Sequence, residues 1–402
     1  MRRLPFLMTL IAGLAGPALA AEPVQLLFVG NSYTFGRVDP VMTYNAGAVH
    51  DLTAGFNAAN PAGTNSHPAG AGGSFEPHPW GGVPGLFKKM ADEAGLAYEV
   101  SLSTRNAASL RGHFLQTYNA DWPLRGNVAR QRWDVVVLQD LSDTALPPGK
   151  GRNANLAAFN AYVDQFERFI HDGTAVSFKE ADLLGGLPAC MATGLSQGSC
   201  NLSHAIPANP HASSATQVYV EQTWARPDMV EPHLATKADI HTADGRPKAE
   251  GTEATLYYPT LAAMTADLHT AFQAKAAANP RLAGVVPVGS AFQRAVDQGL
   301  AQGQGFYNAG GTWAETPGAL NLWWLDRTHA SKYGSYLSAL TLFGTLTGRD
   351  PLTLGATEQA AADLGIAAPT AVALQRVASQ QLGFASAGVS PGTRPGSAPA
   401  PR

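Results

Sequence analysis

The apolar positions of the sequence fall into short continuous runs separated by polar stretches. The first run, residues 24–29, reads VQLLFV and is followed by Gly30 and polar residues. A run without polar alternation is typical of a parallel strand that is buried on both faces. Similar runs, several of them rich in β-branched residues, predict further strands at 98–102, 134–138, 217–221 and 284–288.

Between these predicted strands, apolar residues recur every three or four positions, which predicts amphipathic helices. The stripes lie within residues 83–90, 159–170, 261–272 and 333–343. Strands that alternate with helices form right-handed βαβ units, which build a parallel sheet with helices on both faces. The sequence therefore predicts an α/β fold with a doubly wound sheet, whose ligands bind beyond the carboxyl ends of the strands.

Several segments fit neither pattern and define the expected organisation of the chain. Residues 47–82 and 172–214 are expected to be insertions, because loops longer than about 12 to 15 residues usually carry function or disorder. The end of the chain is mostly Ser, Gly, Pro and Ala, which predicts a flexible tail. The expected order is a signal peptide at 1–20, an α/β domain at 21–355, a helical segment at 356–385 and the tail at 386–402.

The N-terminus has the features of a secretory signal peptide. Arg2 and Arg3 precede an apolar run, and Ala18-Leu19-Ala20 forms a small-x-small cleavage site. The apolar run is too short to cross a bilayer, and an uncleaved anchor is the alternative interpretation. We therefore expect an exported protein, periplasmic or extracellular, without a stable membrane span.

Composition and charge exclude several classes of protein. Of the 402 residues, 45% are hydrophobic and 14% are charged, where an average soluble protein carries roughly 25% charged residues. Such a composition excludes a disordered chain. The formal net charge of -3 is too balanced for a surface that binds phosphate backbones, so no nucleic-acid partner is expected.

The chain has two cysteines, Cys190 and Cys200. In an oxidising compartment, an even pair at short spacing is most simply one disulfide. Two free buried thiols or a metal pair are the alternatives. The absence of further ligands at zinc-finger spacing argues against the metal pair.

The first candidate for chemistry is the turn after the first predicted strand, Gly30-Asn31-Ser32-Tyr33-Thr34. It places the hydroxyl of Ser32 where an open α/β sheet positions its reactive groups. Thr34 stands where the nucleophile elbow of α/β-hydrolases has its second glycine, so that motif is excluded. Ser32 is a candidate nucleophile, and the alternative is that it caps the following helix.

A second candidate lies near the end of the predicted domain, in Asp326-Arg327-Thr328-His329. A serine hydroxyl becomes a good nucleophile when an imidazole takes its proton and a carboxylate orients that imidazole. Asp326 and His329 supply both groups from one loop. The alternative is that Asp326 caps a helix and His329 is exposed in its first turn.

The order GNSYTFG, VVLQDLS and DRTHASKYGSYL along the chain resembles that of the SGNH (GDSL-like) hydrolase superfamily. Gly30-Asn31-Ser32 resembles its first block and Asp326-x-x-His329 its last. The Gln139-containing block is closest to a sialate O-acetylesterase-like branch, or to uncharacterised secreted members. The resemblance implies a flavodoxin-like sheet of about five parallel strands and ester hydrolysis by a triad of Ser32, His329 and Asp326.

The resemblance also implies an oxyanion hole, which departs here from the family pattern. The second block, Arg105-Asn106-Ala107-Ala108-Ser109, has no glycine. The expected donors are therefore the backbone N–H groups of Ser32 and Ala107, with the side-chain amide of Gln139. A satisfied core amide is the alternative for Gln139.

Candidate substrate contacts follow from position and residue type. They are Asn31, beside the nucleophile, and Trp224 and Trp324, which suit sugar rings, as do Trp80 and Trp323. Core or rim packing is the alternative for Trp224.

The predicted activity is that of a secreted serine esterase that removes short acyl groups, most simply acetyl, from a carbohydrate or other small-molecule ester. It needs no cofactor and no metal. The alternatives are a lipase or general carboxylesterase, and a non-catalytic carbohydrate-binding protein on the same fold. A metal phosphoesterase is a further rival, because histidines cluster in two loops: His50, His67 and His78, and His233, Asp239, His241 and Asp244.

Overall fold

A six-stranded parallel sheet lies at the centre of the protein. The computed structural model describes residues 22–55, 78–117, 123–237 and 248–384, together with two short strands at Gly63–Thr64 and His67–Pro68. In chain order, the strands are β1 (Val24–Gly30), β2 (His50–Asp51), β3 (Gly63–Thr64), β4 (His67–Pro68), β5 (Tyr98–Thr104), β6 (Val135–Leu138), β7 (Val176–Lys179), β8 (Ser203–Ile206), β9 (Gln217–Glu221), β10 (Leu234–Lys237), β11 (Lys248–Glu253) and β12 (Gly284–Val286).

The strand order of the central sheet is β12-β9-β6-β1-β5-β2, and every neighbouring pair is parallel. The predicted α/β class is confirmed, and each predicted strand lies in this sheet. The sixth strand, β2, is a two-residue strand in the predicted 47–82 insertion. Apart from β2, the order is that of flavodoxin, which reverses direction between β1 and β6. Such a reversal opens a crevice at the carboxyl ends of these two strands.

Helices of very different lengths connect the strands. They are α1 (Ser32–Phe35), α2 (Gly82–Glu93), α3 (Leu110–Leu115), α4 (Leu124–Val128), α5 (Leu156–His171), α6 (Glu180–Leu183), α7 (Leu187–Ala192), α8 (Gln197–Asn201), α9 (Leu261–Ala278), α10 (Val288–Asp297), α11 (Lys332–Thr347), α12 (Gln359–Asp363) and α13 (Ala368–Gln381).

The long helices form where apolar stripes coincide with good caps. Asn155 begins α5 by accepting a hydrogen bond from the backbone N–H of Ala158, and the predicted stripe of this helix is buried. Ser331 caps α11 in the same way, and this helix is almost entirely buried. Helices α2, α10 and α13 all pack against α11, whereas α3 packs against α5. Buried helices thus hold the loops at the carboxyl edge of the sheet.

The predicted 172–214 insertion carries its own secondary structure. Its strands β7 and β8 form an antiparallel pair, and α6, α7 and α8 lie between them. The predicted disulfide is confirmed, because Cys190 and Cys200 are bonded with a Cα–Cα distance of 6.0 Å. Glu180 fastens the insertion to the core, since its buried carboxylate accepts from Arg111 and from the Tyr162 hydroxyl, each at 2.6 Å.

Some predictions fall on parts of the chain that the structure does not describe. The predicted signal peptide (1–20) and tail (386–402) lie outside the described residues, as does most of 56–77 in the first insertion. The predicted C-terminal helical segment contains α12 and α13. Over the described ranges, none of the helices has the length and apolarity that a membrane crossing requires.

Candidate active site

Ser32 lies at the carboxyl end of β1, as the first residue of the short helix α1. Asn31 caps this helix by accepting a hydrogen bond from the backbone N–H of Tyr33 at 3.0 Å. Gly30 has to be glycine, because a Cβ there would come within 2.1 Å of the Thr34 hydroxyl oxygen and 2.7 Å of Gln139 Oε1. The tight turn thus places the Ser32 hydroxyl in the crevice between β1 and β6.

His329 and Asp326 come from the loop that precedes α11, and they meet Ser32 at this edge. His329 Nε2 lies 2.9 Å from Ser32 Oγ, and His329 Nδ1 lies 2.5 Å from Asp326 Oδ2. A carboxylate can only accept, so Nδ1 carries the proton and Nε2 is left to accept from the serine hydroxyl. The three predicted triad residues therefore form one hydrogen-bonded chain.

Asp326 is held in its ionised form. Burial raises the pKa of this carboxyl group, but the imidazole of His329 and the backbone N–H groups of His329 and Thr328 outweigh burial and lower the pKa to about 2. The two N–H groups donate to Asp326 Oδ1 at 2.9 and 3.0 Å. Asp326 thus offers a fixed negative charge that stabilises a positive charge on the imidazole of His329.

A set of hydrogen bonds to Thr328 fixes the loop that carries His329. The Thr328 carbonyl accepts from the Tyr33 hydroxyl at 2.9 Å and from Trp224 Nε1 at 3.0 Å. Arg226 Nη2 donates to the Thr328 hydroxyl at 3.2 Å, and Arg226 Nη1 donates to Ser142 Oγ at 2.9 Å. The arginine is itself held by two hydrogen bonds to Asp228. These contacts tie the histidine loop to the segment after β9 and to the loop after β6.

Trp224 is buried behind the triad, not exposed to the crevice as its predicted role in substrate binding requires. Its ring stacks on Tyr33 at 3.8 Å and on Phe292 at 4.9 Å between centroids, and only 1% of its surface is exposed. In this position it packs against the nucleophile's helix and supports Thr328. Trp324 is partly exposed on the triad loop, so it remains a candidate for substrate contact. Trp80 and Trp323 are buried.

Asn31 has a supporting position as well. Its side chain is buried, and Nδ2 donates to the backbone carbonyls of Ala108 at 2.9 Å and Asp140 at 3.2 Å. Because Oδ1 is occupied by the cap of α1, the amide has both ends engaged within the protein. Asn31 thereby joins the loops that follow β5 and β6 to the nucleophile, and it does not reach substrate in this arrangement.

Gln139 is likewise engaged within the protein. Its Oε1 accepts from the backbone N–H of Asn31 and from the Thr34 hydroxyl, both at 3.0 Å, and its Nε2 donates to the Asp140 carbonyl. The expected oxyanion donor therefore points into the core, and the arrangement matches the alternative of a satisfied core amide. Its hydrogen bonds brace the turn that carries Ser32.

Ala107 has the backbone conformation that usually calls for glycine, with φ of 55°. Its loop lies against the nucleophile turn, because the backbone N–H of Arg105 donates to the Gly30 carbonyl at 3.2 Å. The second block thus keeps the left-handed backbone conformation that favours glycine, although the residue in this conformation is an alanine. The backbone N–H groups of Ser32 and Ala107 stay predicted donors of an oxyanion hole.

Sequence reasoning missed His113, which supports the nucleophile strand. Its Nε2 lies 2.7 Å from the Gly30 carbonyl, and the ring is fully buried. Burial lowers the pKa of His113 to about 4, although the hydrogen bond to Gly30 partly opposes this shift. The ring is therefore neutral at pH 7, with Nε2 as the donor. The sequence gives no signal for this role, because the partner of His113 is a backbone carbonyl 83 residues away.

The rival metal site finds no support among the described residues, which hold no group of three or more potential metal ligands. His50 pairs with Glu99, His78 pairs with Asp51, and His233 Nδ1 contacts the Glu231 carbonyl. The remaining predicted ligands, which are the His67 side chain, Asp239, His241 and Asp244, lie outside the described residues.

Comparison with known proteins yields distant structural similarity. The sequence matches no protein-family model and no curated protein. One similar solved structure is that of a DUF4886 family protein from Bacteroides uniformis, with 13% identity and a TM-score of 0.42. The alignment covers 89% of this chain and 94% of the Bacteroides chain. Another is that of a protein from Slackia heliotrinireducens, described provisionally as an SGNH hydrolase, with 16% identity and a TM-score of 0.36. That alignment covers 81% of this chain and 100% of the Slackia chain. At these values, the chemistry has to be inferred from this chain's own residues.

Proposed function

We propose that this protein is a serine ester hydrolase with Ser32 as its nucleophile. The observation that carries the proposal is the hydrogen-bonded chain from Ser32 Oγ through His329 to Asp326, with distances of 2.9 and 2.5 Å. Serine, histidine and aspartate in this arrangement are the groups that activate a hydroxyl for attack on a carbonyl.

In the proposed first half-reaction, Ser32 Oγ attacks the ester carbonyl while His329 Nε2 takes the hydroxyl proton. The negative charge that develops on the carbonyl oxygen is stabilised by the backbone N–H groups of Ser32 and Ala107. His329 then returns the proton to the leaving alcohol, and an acyl-enzyme remains on Ser32. Asp326 stabilises the imidazolium throughout without taking its proton.

In the second half-reaction, a water molecule attacks the acyl-enzyme and gives a proton to His329 Nε2. Collapse of the second tetrahedral intermediate releases the acid, and the proton on His329 returns to Ser32 Oγ. Two backbone donors suffice for this scheme, and no cofactor or metal takes part.

The proposed substrate is a short acyl ester, most simply an acetyl ester, of a carbohydrate. A partly exposed Trp324 beside the triad supports this choice, because aromatic rings pack well against sugars. The disulfide and the signal-like N-terminus support export to an oxidising compartment. An exported protein can reach carbohydrate esters that lie outside the cytoplasm. A lipase or general carboxylesterase remains the second candidate on the same triad.

Hydrolysis of p-nitrophenyl acetate, butyrate and octanoate by the purified protein tests the proposal. We expect the highest kcat/KM on acetate, and losses of about 10³-fold or more in Ser32→Ala and His329→Ala. Ser379→Ala is the control, because it removes a buried serine hydroxyl from α13, away from the triad. Full activity in Ser32→Ala would contradict the proposal, and a preference for octanoate would favour the lipase.

A further inference from the structure

A polar cleft of about 300 Å³ lies among the loops that hold the turn of the candidate nucleophile. Its walls come from the loops that follow β5 and β6, from the start of α5 and from the disulfide-bonded insertion. The polar residues that line it include Ser109, Asp140, Thr144, Arg152, Asn155 and Thr193. Nothing in the proposed triad chemistry uses this cleft.

The cleft adjoins the turn that carries the nucleophile. Asn31, the residue before Ser32, donates to the carbonyls of Ala108 and Asp140, which are next to or part of the cleft lining. Asp140 Oδ1 accepts from the backbone N–H groups of Leu110 at 2.8 Å and Leu141 at 2.7 Å. The loops that hold the nucleophile turn therefore also form the wall of the cleft.

Among the residues that the structure describes, several polar atoms of the cleft are left without a partner. Asp140 is buried, and within the described ranges its second oxygen, Oδ2, accepts no hydrogen bond. The buried Thr144 hydroxyl also has no hydrogen-bond partner among the residues described. Arg152 is exposed at the rim and forms no ion pair with any residue that the structure describes. Buried polar groups are almost always hydrogen-bonded, so groups left open beside a cleft indicate a polar ligand.

The arrangement favours hydroxyl groups over an acyl chain or a phosphate. The lining is mainly polar, which disfavours a long apolar chain. The charge of Arg111 is matched by Glu180 at 2.6 Å, and the ionised form of Asp140 offsets the charge of Arg152 at the rim, so the lining is close to neutral, which disfavours a phosphate. Burial raises the pKa of Asp140 to about 7, although two backbone hydrogen bonds act to lower it. Near neutral pH the carboxyl group is therefore partly protonated, so it can both accept hydrogen bonds from hydroxyl groups and donate to them.

We propose that this cleft is the acceptor subsite, which binds the hydroxyl-bearing sugar ring whose ester Ser32 attacks. Asp140 and Thr144 bind ring hydroxyls at the wall of the cleft, and the Arg152 guanidinium donates to a further hydroxyl at the rim. The inference rests on the proposed esterase function and adds to it the part of the molecule that recognises the alcohol.

The test compares two acetate esters of primary alcohols, methyl 6-O-acetylglucopyranoside and ethyl acetate. Their ratio of kcat/KM values isolates recognition of the sugar ring, because the acyl group is the same. The wild-type protein is expected to prefer the sugar ester. Thr144→Val and Arg152→Met are each expected to lower this ratio about three- to tenfold, the range that the loss of one hydrogen bond gives.

Two control variants match these changes outside the cleft. Ser379→Ala removes another buried hydroxyl without a described partner, and Arg130→Met removes an exposed arginine that precedes β6, at the opposite edge of the sheet. Neither control is expected to change the ratio. The subsite is contradicted if Thr144→Val and Arg152→Met change the ratio no more than the controls do, or if the wild type hydrolyses ethyl acetate with no preference for the sugar ester. Absence of Ser32-dependent hydrolysis of either ester would overturn the esterase function and the subsite with it.

Discussion

Replacing Trp224 with phenylalanine separates two roles that a tryptophan near an active site can have. The structure buries this ring between Tyr33 and Phe292, at 3.8 and 4.9 Å, and directs its Nε1 to the Thr328 carbonyl at 3.0 Å. Phenylalanine keeps an aromatic ring in the stack but removes one of the two hydrogen bonds to that carbonyl. Because His329 follows Thr328, the expected consequence is a less well positioned imidazole.

The size of the effect follows from these contacts. One lost hydrogen bond costs about 0.5 to 1.5 kcal/mol of stability, so Trp224→Phe is expected to remain folded. Trp224→Ala is expected to cost about 3 to 5 kcal/mol, because it also removes a buried ring. A displacement of about 1 Å in a catalytic group lowers the rate about 100-fold, so a smaller shift predicts a roughly tenfold lower kcat for Trp224→Phe.

The assay is steady-state hydrolysis of p-nitrophenyl acetate, with urea unfolding as the measure of stability. Tyr33→Phe is the companion variant, since it removes the other donor to the same carbonyl, and the double variant leaves that carbonyl without either of these two donors. We expect each single variant to lower kcat at unchanged KM, and the double variant to lose more than the product of the two. A raised KM with unchanged kcat in Trp224→Phe would refute this reasoning and assign the ring to substrate contact.

Three further predictions concern single residues. Asp326→Asn is expected to lower kcat about 10³- to 10⁴-fold in a folded protein, because an amide does not hold the imidazole in the required tautomer; a loss below tenfold would contradict this role. Burial raises the pKa of Glu221 to about 8, so folding loses stability as pH rises from about 4.5 through 8. In thermal unfolding between pH 4 and 9, Glu221→Gln is therefore expected to have a higher melting temperature than the wild type at pH 8 and nearly the same melting temperature at pH 4. The same dependence of melting temperature on pH in both proteins would refute this prediction. Ala107→Gly is expected to keep esterase activity and not to lower the melting temperature, because φ of 55° suits glycine. The control Ala108→Gly is expected to lower the free energy of unfolding by about 0.5 to 1 kcal/mol. Loss of activity in Ala107→Gly would contradict the prediction and show that the Ala107 methyl group matters.

The sheet could be predicted from the sequence because its central strands are buried on both faces. In β6, for example, all four residues are buried, and an uninterrupted apolar run records that environment directly. Strand β2 was missed, since its two residues pair through their backbones and carry no apolar signal. Strands β7 and β8 were missed for a related reason, because most of their side chains are not buried.

The contacts among Ser32, Asp326 and His329 were anticipated because both motifs flank elements that the sequence marks clearly. Ser32 follows the first apolar run, and His329 precedes the long apolar helix α11. In an open parallel sheet, loops at the carboxyl edge meet, so the two motifs were expected to meet as well.

The surroundings of the triad could not be predicted, because they depend on which partner each polar group finds. The amide of Gln139 is turned away from the crevice by the N–H of Asn31, which is 108 residues distant in sequence. Trp224 is buried because Tyr33 and Phe292 stack on its two faces. Residue type indicated an amide and a tryptophan near the site, but only the fold decides their orientation.

Labelling by a fluorophosphonate tests the proposed nucleophile most directly. The reagent phosphonylates an activated serine and releases fluoride, and digestion followed by mass spectrometry identifies the modified residue. We expect one label per protein on Ser32, no label in Ser32→Ala, and much slower labelling in His329→Ala. An unlabelled Ser32 in a folded protein, or equal labelling of Ser32→Ala, would contradict the assignment of this triad as a catalytic site.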